Sequence, residues 1–191
     1  HIGNRDRRYI MSGSWWAIEI EEYSLSNKIK GTIMELTGIL PEQGEFYQCS
    51  KEENQMEMPE VVIELLDRVS KTAGVTEWTK TDVLMSIDGN LVRLYQSAAG
   101  ESTTITVRNT IVDLLMGKKE EWDDPEVRGP YVMGHGSDRG GVLWWKNRDF
   151  ILTAAPFEMI PHMTRLNKDF TEKQQIYMAI AEIDLIQGTN V

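Results

Sequence analysis

The chain has one cysteine, Cys49, among 191 residues, so no disulfide can close within it. That excludes a small secreted scaffold stapled by bridges and fits a reducing, intracellular compartment, cytoplasmic or nuclear. No apolar run approaches the roughly 18–20 residues that a bilayer crossing needs, and the opening HIGNRDRRYIM has no apolar centre of the signal-peptide kind. A soluble protein without a membrane partner is expected. Cations are also in deficit, with 20 Lys and Arg against 30 Asp and Glu, a formal charge of -10. A non-specific hold on phosphate backbones needs clustered cations, so broad nucleic-acid binding is disfavoured.

Signatures of chemistry are equally sparse. His1, His135, His162 and Cys49 are scattered, with no HxH, HExxH or CxxC spacing, and no metal site is expected from them. Asp82, Asp88, Asp123, Asp124, Asp138 and Asp149 fall in no EF-hand pattern. There is no GxSxG elbow, no phosphate loop ending in Lys-Ser/Thr and no dinucleotide fingerprint, so no cofactor is implied.

What is present is a chain of ordinary globular composition, 41% hydrophobic and 26% charged, which excludes wholesale disorder. The first methionine is Met11, so residues 1–10 read as a tail or tag remnant and 11–191 as a single domain. In WWAIEIEEY, residues 15–23, Trp16, Ile18 and Ile20 alternate with Glu19 and Glu21, the period of a half-buried strand. The β-branched residues of KIKGTIMELTG suggest a return strand, giving a hairpin over 15–37. After Pro59, the apolar residues Val62, Leu65, Leu66, Val69 and Ala73 recur at helical spacing and predict a helix over 59–73.

Asp88-Gly89 between two alternating apolar runs, followed by TTITVRN, predicts a three-stranded antiparallel meander over 82–109. The segment from Ile111 to Pro130 begins as a short helix that Gly117 and Pro125 break into loop. Two further hairpins are expected on either side of VLWW at 142–145. A capping pattern at Thr171 and Gln174, with an apolar stripe at Ile176, Ala179, Ile180 and Ile183, predicts a C-terminal helix over 172–187. The fold class is therefore α+β: an antiparallel sheet of hairpins and a meander, packed with one internal and one C-terminal helix.

Two Trp-Trp pairs, Trp15-Trp16 and Trp144-Trp145, stand out, because adjacent residues in a strand point to opposite faces. One member of each pair is expected to face outward. With Glu19 and Glu21 close by, these side chains suggest an acidic, non-catalytic binding or regulatory domain that engages a protein partner. The same groups would suit an aromatic pocket for a flat or methylated cation such as a nucleotide base.

The rival from another class is a small hydrolytic or small-molecule enzyme, with His135 as base in the glycine-rich loop GHGSDRGG and Asp138 or Glu158 assisting. Gly134-His135-Gly136 followed by Pro156-Phe157-Glu158 resembles the histidine-bearing region of caspase-type peptidases, whose nucleophile is a cysteine downstream. This chain departs at that residue: Cys49 lies upstream and no cysteine follows His135. The resemblance therefore implies an inactive relative at most and assigns no catalytic residue.

Overall fold

The computed structural model describes residues 1–50, 56–58, 66, 69, 77–87, 89–97, 104–116, 127–133 and 141–160. These residues are mainly β, and their strands pair antiparallel. The chain divides into two compact units, one comprising His1–Ala73, Lys118–Arg128 and Trp144–Ala154, the other Gly74–Gly117, Gly129–Leu143 and Ala155–Val191.

The first unit is built on a sheet in the order β5-β4-β1-β2-β3-β11-β10. Its strands are β1 (Ile2–Arg5), β2 (Arg8–Ser12), β3 (Trp16–Glu21), β4 (Phe46–Gln48), β5 (Met56–Met58), β10 (Val142–Lys146), which belongs to this unit from Trp144 on, and β11 (Phe150–Ala154). Residues 1–10, set aside above as a tail, belong to this sheet. Ile2, Tyr9 and Ile10 are buried, and β1 pairs with β2 from Ile2↔Met11 to Arg5↔Arg8. The turn between them places Asp6 and Arg7 at φ of 51 and 64, the left-handed pair that a two-residue hairpin loop needs. Because neither residue is glycine, composition alone gives this turn little signal.

The expected return strand after β3 is instead a helix, α1 (Asn27–Thr37). Local signals outweigh the β-branched content. The Ser26 hydroxyl accepts from the Ile29 N–H at 3.3 Å, capping the first turn, and Gly38 closes the helix at φ 75 with its N–H on the Met34 carbonyl. Ile29, Ile33 and Leu36 then fall on one face, and Ile33 is fully buried. β3 takes its second neighbour from far along the chain: it pairs with β11 from Phe150↔Ile20 to Ala154↔Trp16. β11 follows β10 through a short turn in which the Asn147 side chain accepts from the Asp149 and Phe150 N–H groups, so the hairpin after VLWW forms as expected.

Of the internal helix at 59–73, only Leu66 and Val69 are described; both are helical and buried, and Leu66 packs with Ile10, Ala17 and Phe46. This matches the stripe read from the sequence at those two positions.

The second unit contains the predicted meander: β6 (Trp78–Ile87), β7 (Asn90–Ser97) and β8 (Thr104–Arg108), extended by β12 (Glu158–Ile160) in the order β12-β8-β7-β6. Gly89 sits at φ 77 in the β6–β7 turn. Val92, Leu94, Ile105 and Val107 are buried, and β8 is covered along Thr104–Val107, which explains an apolar and Thr-rich run without polar alternation. α2 (Asn109–Met116) follows β8 and buries Ile111 and Val112. β9 (Arg128–Met133) meets the residue before β6 through an antiparallel bridge, Glu77↔Tyr131. The C-terminal helix expected over 172–187 lies outside the described residues.

Candidate functional site

Trp144 and Trp145 do not form a surface pair. They are 1% and 2% exposed, and Leu143 beside them is buried too. Alternation forces a residue outward only when one face of the strand is bare; β10 is covered on both faces, so its two indoles enter opposite layers. The Lys146 ammonium lies 5.3 Å from the centroid of the Trp144 ring, a cation–π distance.

Trp15 and Trp16 are both half-exposed. Trp16 opens β3 and pairs with Ala154. Its indole lies against Gly13 in the β2–β3 turn, where a β-carbon would come within 2.6 Å of the indole Nε1, and the Gly13 N–H bonds the Trp16 carbonyl at 2.9 Å. A glycine at this point lets the ring lie down on the backbone.

Beside this ring is a cleft of about 370 Å³. Met11, Ile29, Ile33, Leu36 and Cys49 share its lining with Trp16, and among the described lining residues Lys28 is the one Lys, Arg, Asp or Glu. One wall is α1, so the segment that forms a helix instead of a strand is also what creates the concavity. The size lies at the lower end of the range of about 300–1,000 Å³ typical of small-ligand pockets. Apart from Trp16, these residues were missed by sequence reasoning. The available signal was the Ile29, Ile33, Leu36 spacing after a capping Ser26.

Glu19 and Glu21 do not accompany Trp16. Alternation along β3 sends them to the other face, where Arg8 holds both: its Nη1 lies 2.6 Å from Glu19 Oε1 and its Nε 2.7 Å from Glu21 Oε1. Arg5 adds a longer contact of 3.7 Å to Glu19. The hydrogen bond to Glu19 raises the Arg8 pKa, against the opposing effect of burial. Glu19 is 7% exposed, so its charge is accommodated by these arginines and is not free to receive a cationic ligand. Both carboxylates line a second, charged cavity of about 250 Å³ with Lys146, Arg148 and Asp149. There the buried Asp149 carboxylate accepts from the Tyr23 hydroxyl at 3.3 Å and has Arg148 Nε at 3.7 Å.

No known protein family, curated protein or solved structure matches the chain. The site must be read from its own geometry.

The side chains of the rival enzyme reading fall outside what the structure describes. His135 and Asp138 lie outside the described residues, and Glu158 stands in β12 with its side chain undescribed. Among the described residues, no group of three His, Cys, Asp or Glu is placed to hold a metal ion. None of their helices is long and apolar enough to cross a membrane. The Trp16 cleft is thus a mainly apolar concavity with an aromatic wall, to whose lining Lys28 and the Ser12 hydroxyl, 3.3 Å from His1 Nδ1, also contribute; such an arrangement can bind apolar groups.

Proposed function

We propose that this protein is a non-catalytic binding module, and that its first unit engages a protein partner by receiving apolar side chains of that partner in the Trp16 cleft. The observation that carries this reading is the half-exposed Trp16 standing in an apolar concavity and seated against Gly13. A rigid aromatic wall loses little rotamer freedom on binding, which is why Trp is favoured at interface hot spots. Neighbouring Met11 adapts its shape to whatever enters. The cleft supports an apolar guest over a methylated or flat cation, since Glu19 and Glu21 are held by Arg8 on the opposite face of β3.

The test is a selection from a random peptide library displayed against the protein, followed by affinity measurements on the enriched peptides. Trp16→Ala is expected to weaken them by about 2 kcal/mol, near thirtyfold, while the circular dichroism spectrum is kept. Enriched peptides whose affinity is indifferent to Trp16→Ala and Leu36→Ala, or no enrichment at all, would overturn the reading.

A further inference from the structure

The cleft has an electrostatic asymmetry. Lys28 lines it from the first turn of α1 and makes no ion pair among the described residues. That turn, Asn-Lys-Ile-Lys, carries Lys28 and Lys30 and no acid. Helix starts ordinarily favour Asp or Glu, because the unpaired N–H groups give this end a partial positive charge; here two ammonium groups are added to it. The one acid of α1, Glu35, lies seven residues beyond Lys28, about 10 Å along the axis. Among the described residues, an apolar cleft therefore adjoins positive charge that no ion pair offsets and that weakens the isolated helix.

We infer that the partner segment is an acidic–aliphatic peptide: an apolar residue enters against Trp16 and Leu36, and a neighbouring Asp or Glu meets Lys28. This inference rests on the peptide-binding reading above and adds the charge of the guest. The formal charge of -10 does not oppose it at contact range. At physiological salt, exposed charges are screened over about 8 Å, so a carboxylate touching Lys28 responds chiefly to that ammonium and to the start of α1. The distributed acidity would slow the approach of an acidic segment and leave the docked contact intact.

The experiment uses the same library on two proteins, the unaltered chain and Lys28→Glu. Glu at this helix position suits the helix dipole, so the variant should keep its fold, which circular dichroism verifies. Peptides enriched on the unaltered chain are expected to place Asp or Glu within two positions of the apolar anchor. Lys28→Glu should weaken them about threefold to tenfold, and replacing the peptide acid by Gln should cost affinity only when Lys28 is present. Peptides that depend on Trp16 yet show no acidic preference, or tolerate Lys28→Glu, would overturn the inference and leave the cleft reading standing. Absence of any Trp16-dependent peptide would overturn both.

Discussion

The ring of Phe46 occupies the space that a β-carbon on Gly3 would take, across the pairing of β1 with β4. Phe46 is 1% exposed, so the ring cannot swing into solvent to make room. Gly3→Ala should therefore destabilise the protein by about 1–3 kcal/mol, the range for overpacking a filled core. Thermal melts of Gly3→Ala, Phe46→Leu and the double variant check this: the double variant should recover part of the Gly3→Ala loss. Equal melting of Gly3→Ala and the unaltered protein would show that the ring does not sit there.

Ser26 is the cap that makes a helix of a sequence rich in β-branched residues. Ser26→Ala removes the acceptor for the Ile29 N–H and should cost about 1 kcal/mol, with Ser26→Asp close to neutral. Chemical denaturation measures it. No difference between Ala and Asp would leave the helix start unexplained by capping.

The four tryptophans at 15, 16, 144 and 145 should separate by role. Trp144→Ala and Trp145→Ala remove buried rings and should each cost about 3–5 kcal/mol. Trp16→Ala, at a half-exposed position, should cost clearly less. Comparable losses at positions 16 and 145 would place Trp16 in the core and remove the basis for treating it as an anchor.

Burial in β7 pushes the Tyr95 hydroxyl from its ordinary 10.0 up to about 12, with the charge of Arg93 opposing the shift. The proton is held more tightly in the folded chain, so this contribution is intact below pH 10 and is lost as pH rises toward 12. Two units correspond to at most about 3 kcal/mol. Stability measured by urea unfolding between pH 9 and 12 should fall less steeply in Tyr95→Phe than in the unaltered protein. Parallel curves would mean that Tyr95 ionises freely in the fold.

The legibility of the fold followed the locality of its signals. The meander was readable because Gly89 and the alternating runs of β6 and β7 are adjacent in sequence. The helix of α1 was misread because Ile29, Thr32 and Ile33 carry strand propensity, while the decisive groups, Ser26 and Gly38, lie at its ends. Propensity is weak beside capping and burial. At the site, alternation implies that one member of the pair Trp15-Trp16 faces outward but does not say which, and both are half-exposed. Glu19 and Glu21 are neighbours of Trp16 in sequence and face the other way, whereas Leu36 and Cys49 reach the cleft only through folding. The burial of Trp144 and Trp145 was illegible because whether a strand is covered on one face or two is decided by the elements packed around it.

The pairing of β3 with β11 bears on how the chain is made. The Thr153 hydroxyl reaches the Ala17 carbonyl across 136 residues of sequence. At translation rates of about 5–20 residues per second, β3 emerges roughly 7–27 seconds before the strand that completes its hydrogen bonding. During that interval the unpaired backbone N–H and C=O groups along its outer edge, from Trp16 to Ile20, are an open template for any extended chain nearby. The first unit can close only after the first stretch of the second, 74–117, has been synthesised. A helper that shields strand edges would act on the nascent chain in that window, before β11 arrives.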